Sequence, residues 1–382
     1  MNVQKICIIG DGLAGISTAI TLSTENIQID LYGGNKNSFS KNDNRTTAVS
    51  ETSYQFIKEK LNIKNKNFLL WPCREVNLFF EEKNKNINFL NFKEEKNKLM
   101  YIFQNKELKK TLEKQIKKKK NIKLINKNIT NIDYKTNSIL SNKKTFFYDL
   151  IILSAGMKSS LYNKITKGRS IEKNYNEIAL TTVVKHNFKI NNVSQFFLKE
   201  GPLAILPFNK KSFSIVWSVS SSYFHKNNKL LKEIMNAKVK KLMDNPKIKI
   251  IESIQSFPIN LNLKTKYYKE NVLILGDGLH TVHPLAGQGF NLVLRDIKKL
   301  SELVSKASKL GLSLKNSFLL KDFCTARKSE NLILGLGIDL TNTFFKNNKF
   351  FFPIKKTILK NIKNFPFIKK ISQSISDKGI ML

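Results

Sequence analysis

Three glycines near the N-terminus, Gly10, Gly12 and Gly15, have the spacing GxGxxG. In this pattern the first glycine permits a tight turn, the second lets the backbone approach a pyrophosphate, and the third allows a helix to pack closely on a strand. A phosphate at such a turn lies at a helix N-terminus, whose N–H groups and dipole favour an anion. The pattern predicts a dinucleotide site that includes Leu13 and Ala14. The alternative is a glycine turn with a purely structural role.

One part of the dinucleotide pattern is missing. A carboxylate that binds the adenosine ribose usually stands about 20 residues after the glycines, at the end of the second strand. This chain has Tyr32, Gly33 and Gly34 there, while Asp30 comes early and Glu25 precedes the strand. Adenosine binding therefore needs another partner or is weaker.

Two further segments carry a family resemblance. The segment DNRTTAVS at 43–50 resembles the DxRxxALS motif of the ubiquinone-biosynthesis hydroxylases. The string GDGLHTVHPLAGQGFNL at 276–292 resembles their GDAAHxxHPxAGQGxNLG signature. Weaker matches at 100–108 and 320–345 extend the resemblance, in order, from residue 3 to about residue 345. These hydroxylases belong to the single-component FAD aromatic hydroxylases, the group that includes para-hydroxybenzoate hydroxylase.

The resemblance implies a set of FAD contacts. Asp277 follows a buried strand, where its carboxylate would accept hydrogen bonds from ribityl hydroxyls; the alternative is a plain helix N-cap. Gly287 and Gly289 would let backbone N–H groups reach the flavin at a helix N-terminus, whose positive end stabilises the anionic reduced ring. The other expected cofactor contacts are Arg45, Asn105, Pro284, Gln288, Phe290 and Asn291.

The resemblance also implies a reaction. Reduced FAD would react with dioxygen to form a flavin hydroperoxide, whose distal oxygen is delivered to an electron-rich polyprenyl phenol. The protein would exclude water and position the ring, so no catalytic residue is assigned. His280 and His283 are expected to form structural hydrogen bonds, with acid–base roles as the alternative. The rival prediction is a non-catalytic FAD-binding component of a ubiquinone-synthesis assembly.

The residues associated with the electron donor differ from those of the family that the chain resembles. Related chains have an Asp-Gly pair after the strand at 150–153, associated with both FAD and the nicotinamide coenzyme, whereas this chain has Ala155 and Gly156. NAD(P)H and a separate reductase are therefore both candidate donors, and direct reduction by NADPH is expected to be slow or absent. Positive charge such as Lys158 is the competing means of holding the coenzyme's phosphates.

The order of elements predicts an α/β fold: a Rossmann-like FAD-binding domain, an inserted α+β substrate domain with an antiparallel sheet, and C-terminal helices. The segment 3–32 reads as strand, glycine turn, helix and strand, a βαβ unit that requires parallel pairing. Alternation at 213–219 indicates antiparallel strands. The predicted division is 1–70, 100–175 and 268–340 for the FAD-binding domain, 71–99 and 176–267 for the substrate domain, and 341–382 for a basic helical tail.

Composition limits the other function classes. The 382 residues include 66 basic and 29 acidic ones, a net charge of +37, but the lysines are spread along the chain and arginine is scarce. Since arginine is the better reader of bases and phosphates, compositional drift explains the charge better than nucleic-acid binding. Asn/Lys-rich stretches such as 83–98 are accordingly expected to be low-complexity surface. Three scattered cysteines without a Cys/His cluster indicate a reducing cytosol and no metal site.

The C-terminal segment differs from the rest. Residues 340–376 contain no acidic residue, and their lysines are interleaved with phenylalanines such as Phe344, Phe345 and Phe367. This composition suits an anionic bilayer surface; the alternative is an ordinary packed helix. Without an apolar run long enough to span a bilayer or a secretory signal, the expected location is cytoplasmic or peripheral on the inner membrane face. Other ubiquinone-biosynthesis proteins are expected partners.

The glycine turn yields a first test. Gly12→Val is expected to give a folded protein without flavin, because the valine side chain stands where the pyrophosphate must approach the backbone. The measurement is the ratio of flavin absorbance to protein absorbance after purification. A folded variant with its full complement of flavin would contradict the placement of the dinucleotide at this turn.

Overall fold

A computed structural model of the chain describes residues 3–23, 26–33, 43–63, 69–95, 97–141, 143–157, 159–188, 190–245, 247–315, 317–346, 359 and 366–379. Glu25, Gly34 and Lys158 lie outside the described residues, as does the basic tail from 347 to 365 apart from Leu359. The tail's expected interleaving of lysine and phenylalanine therefore falls largely outside the described part of the chain.

The helices of the described residues occur along the whole chain, and none of them is long and apolar enough to cross a membrane. The longest are α7, which begins inside the predicted cofactor-binding string at 276–292, and α8. In chain order the helices are α1 Leu13–Leu22, α2 Glu51–Lys60, α3 Asn105–Ile116, α4 Asn163–Thr166, α5 Ser221–Asn227, α6 Leu231–Leu242, α7 Gln288–Lys309, α8 Ser317–Phe345 and α9 Pro366–Lys378.

The strands fall into two large and two small sheets within the described ranges. In chain order they are β1 Gln4–Ile9, β2 Ile27–Gly33, β3 Thr46–Ser50, β4 Trp71–Cys73, β5 Glu75–Glu82, β6 Lys85–Lys93, β7 Met100–Gln104, β8 Ile122–Asn126, β9 Ile132–Asp133, β10 Ser138–Ser141, β11 Lys144–Phe147, β12 Leu150–Leu153, β13 Ser170–Lys185, β14 Val193–Leu198, β15 Gly201–Asn209, β16 Ser212–Ser220, β17 Lys249–Ile250, β18 Gln255–Lys264, β19 Tyr268–Lys269, β20 Val272–Ile274 and β21 His280–Thr281.

The first large sheet carries the predicted βαβ unit. Its described strands have the order β19-β20-β12-β1-β2-β8, and of these β19 alone pairs antiparallel with its neighbour. The central strand β1 pairs in parallel with β2 and β12, so that Ile6 lies opposite Ile29 and Leu150. All four residues of β12 are buried, as expected of a parallel sheet that is covered on both faces. The sequence prediction of parallel pairing is confirmed.

The second large sheet is mostly antiparallel. Nine strands of the described chain form it, in the order β21-β18-β13-β16-β15-β14-β5-β6, with β17 paired to β13. The predicted strand at 213–219 is β16, which lies antiparallel between β13 and β15. The predicted fold class, with an antiparallel sheet inserted into an α/β domain, is confirmed. The exact domain boundaries stay a prediction, because β13 crosses the expected division at 175 and β21 joins the sheet from outside the expected substrate domain.

Two apolar cores correspond to the two sheets. The larger core surrounds the parallel sheet and includes Ile8, Leu31 and Ile152 together with residues of α1, α3 and α7. The second core lies between the antiparallel sheet and α6, where Trp217 and Met235 are completely buried. Because each sheet has its own core, the space where the sheets meet can be kept for a ligand.

The expectation that 83–98 is plain low-complexity surface is wrong. This stretch contains β6, in which Phe89 and Leu90 are both buried. The pairing of β6 with β5 shifts by one residue between Leu78 and Phe79, so β6 has an extra residue there. Such a bulge lets two consecutive side chains face the interior, which breaks the alternation by which a strand is recognised in a sequence.

A buried ion cluster joins α7 to α8 and to β21. The Asp296 carboxylate is 0% exposed and lies 2.7 Å from both His280 Nε2 and Arg327 Nε. The Asn331 amide donates to Asp296 Oδ1 at 3.1 Å, and Arg327 also pairs with Glu330. Burial acts to raise the pKa of Asp296, but the positive charge of Arg327 and the contact with His280 outweigh it and hold that pKa below its ordinary value.

Asp296→Asn is therefore expected to destabilise the protein by about 3–5 kcal/mol at pH 7, because it removes the fully buried counter-charge of the Arg327 guanidinium, which keeps only its contact with the less buried Glu330. A carboxylate with a lowered folded-state pKa stabilises above its unfolded pKa of about 4 and ceases to do so as the pH falls through the folded value. The variant should accordingly lose part of the wild-type acid sensitivity. Urea unfolding at several pH values measures both effects.

The matched control is Asp322→Asn, an equal change of charge at an exposed position of α8. It should alter the free energy of unfolding by about 0.5 kcal/mol or less. Equal losses in the two variants would show that the buried cluster contributes nothing specific.

Candidate functional site

A cavity of about 1790 Å³ is lined by residues of both large sheets. It is larger than the roughly 300–1,000 Å³ of an ordinary small-molecule pocket, so it has room for a dinucleotide and a second ligand. The described chain brings all the predicted cofactor-binding residues except one to its wall. These are Gly10, Gly12, Leu13, Ala14, Arg45, Asn105, Asp277, Pro284, Gly287, Gln288, Gly289, Phe290 and Asn291.

The exception, Gly15, has a packing role. A Cβ atom built on Gly15 would lie 1.8 Å from the carbonyl oxygen of Gly10. Gly10 itself has φ +120°, and its Cβ would lie 2.1 Å from the carbonyl oxygen of Ser154 at the end of β12. Both positions thus require glycine. Gly12, the N-cap of α1, has an ordinary φ of −72°, so its backbone would accept a side chain.

Asp277 is placed on a second tight turn, next to the first. It lies in a short 3-10 turn, Gly276–Gly278, whose N-cap is Leu275, so the alternative that Asp277 is itself the N-cap is wrong. Gly276 has φ +75°, and its Cβ would lie 2.9 Å from the Cβ of Ala14, which shows how closely this turn packs on α1. The two predicted motifs therefore form one wall.

The Asp277 carboxylate is open to the cavity but surrounded by protein. Partial desolvation in this concave position raises its pKa, while His280 and Arg45 act in the opposite direction. A raised pKa means that the ionised carboxylate gains from any hydroxyl donor that enters the cavity. The geometry thus suits the hydrogen-bond acceptor role that the sequence predicts.

The N-terminus of α7 faces the same cavity. Its N-cap, Gly287, has φ +63° and would place a Cβ 2.9 Å from the Cβ of Ala48 in β3. A Cβ on Gly289 would meet no atom within 4 Å, so this part of the helix end is open to a ligand. The Asn291 side chain is used within the protein: its oxygen accepts from Ser50 N at 2.9 Å, and its amide donates to Ala48 and Gly287 carbonyls.

Arg45 and Asn105 are held at the cavity by their neighbours. The Arg45 guanidinium makes a two-point contact with Asp43, at 2.9 and 2.8 Å, and lies over the Phe257 ring at 5.1 Å. The Asn105 side-chain oxygen accepts a 2.7 Å hydrogen bond from Thr47. These contacts fix both side chains before any ligand binds.

The two histidines of the string form hydrogen bonds to carboxylates, as expected. His280 contacts Asp296 as described above, and the fully buried His283 lies with Nε2 2.9 Å from Glu177 Oε2. Burial acts to raise the pKa of Glu177, but the hydrogen bonds from His283 and Lys346 lower it below its ordinary value. An ionised Glu177 carboxylate can only accept hydrogen bonds, so His283 Nε2 carries the hydrogen of this contact. Nδ1, the other ring nitrogen, takes no part in it.

One end of the cavity is apolar, a feature that the sequence did not predict. Phe197 of β14 stacks on Phe345 of α8 with ring centroids 3.5 Å apart, and Phe89 of β6 lies against both rings. Leu285, which follows the predicted flavin contact Pro284, belongs to the same cluster. The available signal was the aromatic residues within Asn/Lys-rich segments, but only the folded sheet shows that they converge.

Comparison with known proteins agrees with this geometry. The family model of the FAD binding domain matches residues 153–311. A mitochondrial ubiquinone biosynthesis monooxygenase of Dictyostelium discoideum is 28% identical over 262 residues, covering 56% of this chain and 52% of that protein. The 3-demethoxyubiquinol 3-hydroxylase of Escherichia coli is 29% identical over 156 residues, 40% of each chain. The resemblance to the FAD-dependent hydroxylases is confirmed.

These curated relatives are matched over about half of their own length or less. The fold is matched over more of the chain: the crystal structure of Klebsiella pneumoniae HpxO with FAD and uric acid covers 98% of this chain and 97% of that chain, with a TM-score of 0.75 and 13% identity. The chain is an FAD-binding flavoprotein. Its cavity fits the cofactor, since two glycine-led helix N-termini, at α1 and α7, and the Asp277 carboxylate all face one space.

Asp277→Ala is expected to weaken FAD binding about 10- to 150-fold, the effect of losing a hydrogen bond to a charged group. The fold should not suffer, because a carboxylate with a raised pKa is not stabilising in its ionised form. Titration of the apoprotein with FAD measures the affinity, and thermal unfolding measures the stability. Asp322→Ala, an exposed position on α8, is the control. Unchanged FAD affinity in Asp277→Ala would remove this residue from the site.

Proposed function

We propose that the chain is an FAD-dependent monooxygenase that hydroxylates the aromatic ring of a polyprenyl phenol in ubiquinone biosynthesis. The observation that carries the proposal is the continuity of one cavity from the Gly10–Gly15 turn to the apolar cluster around Phe197. A dinucleotide site and an apolar site that share one space allow a bound flavin to meet a lipophilic ring. The names of the matched relatives, both ubiquinone-pathway enzymes, point to the same substrate class.

The protein's own part concerns binding and orientation. The α1 N-terminus would hold the pyrophosphate, Asp277 the ribityl chain, and the α7 N-terminus the edge of the ring that becomes negative on reduction. When bound, FAD supplies the redox chemistry that activates dioxygen. Pro284 and Leu285 line the cavity shortly before the α7 N-terminus, Leu285 belongs to the apolar cluster, and the two would form the wall on which the two ligands meet.

The apolar end favours a ring that carries a hydrocarbon chain. Phe89, Phe197 and Phe345 provide a dry surface, and Leu359 is buried in the same cluster. Burial of a chain there is favourable by about 25 cal/mol for each Å² of apolar surface removed from water. Exclusion of water from this end would also prevent water from diverting the oxygen chemistry of bound flavin away from the substrate ring.

Two buried polar atoms would, in this proposal, bind the phenol hydroxyl group. Thr181 Oγ1 and His283 Nδ1 have no hydrogen-bond partner among the described residues, and both side chains line the cavity. A buried polar atom without a partner is costly, and a phenolic hydroxyl would satisfy it. Glu177 fixes the His283 ring, so that Nδ1 would accept the hydrogen of the phenol.

We further propose that the protein works at a membrane surface, where a polyprenyl substrate resides. Support comes from the described C-terminal helix α9, in which Phe367 is 73% exposed and Ile371 is 40% exposed beside the exposed Lys370. Apolar side chains flanked by lysine suit an anionic bilayer. The Dictyostelium relative is mitochondrial, so the proposal concerns a membrane surface and no particular compartment.

The test begins with the reductant. Ala155 and Gly156 line the cavity where related chains have a carboxylate, so mixing with NADPH under anaerobic conditions is expected to bleach the flavin slowly or not at all, with or without a phenol. Dithionite or a ferredoxin system should reduce it readily. Rapid bleaching by NADPH would show that the carboxylate is dispensable.

Air and a prenylated phenol are then added to the chemically reduced protein. The expected product carries one oxygen atom from labelled dioxygen, and flavin-free Gly12→Val protein should form none. If the reduced flavin is reoxidised without hydroxylating any phenol, the non-catalytic assembly component becomes the better interpretation.

A further inference from the structure

The described end of β2 lacks the carboxylate that usually binds the adenosine half of a dinucleotide. In dinucleotide-binding βαβ units a carboxylate at the end of the second strand binds the ribose hydroxyls. Here β2 ends at Gly33, which has no side chain. Asp30, the nearby carboxylate of β2, accepts a 2.8 Å hydrogen bond from Tyr148, whose hydroxyl lies 3.0 Å from that of Tyr32. Asp30 is thus directed toward these tyrosines.

Another carboxylate occupies the space beside Gly33. A Cβ atom built on Gly33 would lie 2.8 Å from both Cγ and Oδ2 of Asp11, and 2.9 Å from its Cβ. The Asp11 side chain therefore stands where a side chain of residue 33 would begin. Since the φ of Gly33 is ordinary, it is the presence of Asp11 and not the backbone angle that requires glycine there.

Asp11 has the surroundings of a ligand-binding group. It follows Gly10, lines the cavity and is 25% exposed in its side chain. The Lys109 ammonium, 3.7 Å from Asp11 Oδ2 and only 10% exposed, offsets its negative charge near a pyrophosphate. An aspartate directly before a phosphate-binding helix would otherwise repel the ligand.

The other carboxylates of the described cavity wall are held by contacts at other positions. Glu51 accepts from Gln55, Glu94 accepts from Gln373, and Asp377 accepts from Thr52 N. Asp277 lies on the neighbouring turn and is assigned to the ribityl chain. Among the described wall residues, Asp11 is the carboxylate whose side chain lies beside Gly33, where β2 ends.

We propose that Asp11 binds the adenosine ribose hydroxyls of FAD, in place of the missing carboxylate of β2. The ribose-binding carboxylate thus stands on the glycine turn instead of at the end of β2, and residue 33 must be glycine to leave room for it. A carboxylate can accept from both the 2′- and the 3′-hydroxyl. The inference rests on FAD binding as proposed above, and the test separates the two.

Apoprotein is titrated with FAD, with FMN, and with an FAD analogue whose adenosine ribose lacks the 2′- and 3′-hydroxyls. Wild type should bind FAD about 10- to 150-fold more tightly than the analogue. Asp11→Ala should lose that preference and bind FAD and the analogue equally, with its FMN affinity unchanged. Asp11→Asn, which keeps the shape of the side chain, should also weaken FAD selectively. The control Asp30→Asn should keep the wild-type preference.

A second experiment moves the carboxylate from position 11 to position 33 and tests whether Gly33 is needed to leave room for Asp11. Gly33→Glu alone should bind FAD poorly, because its side chain collides with Asp11. Combined with Asp11→Gly it should recover selectivity for FAD over the analogue. If Asp11→Ala still prefers FAD to the analogue, Asp11 is not the ribose partner and the inference is overturned. If wild type binds neither FAD nor FMN, the proposed function fails and this inference fails with it.

Discussion

The close approach of backbone at Gly10 is the constraint on which the rest of the site depends. The turn after β1 packs so tightly on the end of β12 that no side chain fits at Gly10 or Gly15. This contact sets the direction of α1, and α1 in turn receives the Gly276 turn against Ala14. Two helix N-termini and one carboxylate are thereby brought to the same wall by chain segments more than 250 residues apart. Small displacements at Gly10 would separate them.

The 276–292 string combines binding and support. Asp277, Gly287 and Gly289 present a carboxylate and open backbone to the cavity. His280 and Asn291 point into the protein, where one contacts Asp296 and the other connects α7 to β3. A ligand-binding loop between two rigid anchors keeps its geometry without the ligand, which lowers the ordering cost of binding.

The sequence predicted best those parts of the fold that are formed by residues close together along the chain. The spacing of Gly10 to Gly15 and the apolar runs on either side contain the whole βαβ unit, because a helix and its adjoining strands are specified by neighbouring residues. The resemblance located Asp277 and the α7 N-terminus. The apolar cluster of Phe89, Phe197 and Phe345 could not be predicted, since it depends on the pairing of β5 with β14 and on a one-residue bulge. The relation of Asp11 to Gly33 is likewise visible only in space.

The C-terminal helix α9 determines when, during synthesis of the chain, the cavity wall can be completed. Asp377 at the end of α9 accepts from the N-terminus of α2, and Arg295 of α7 donates to the carbonyl of Ser376 at 2.9 Å. Residues 370 and 372–378 form part of the cavity wall. A ribosome must therefore release the chain beyond residue 378 before the wall can close. The glycine turn emerges before α9, yet the cofactor can be fully enclosed only after translation has passed α9, and contacts between such distant segments form slowly. Full enclosure of a flavin in this cavity thus follows the synthesis of α9.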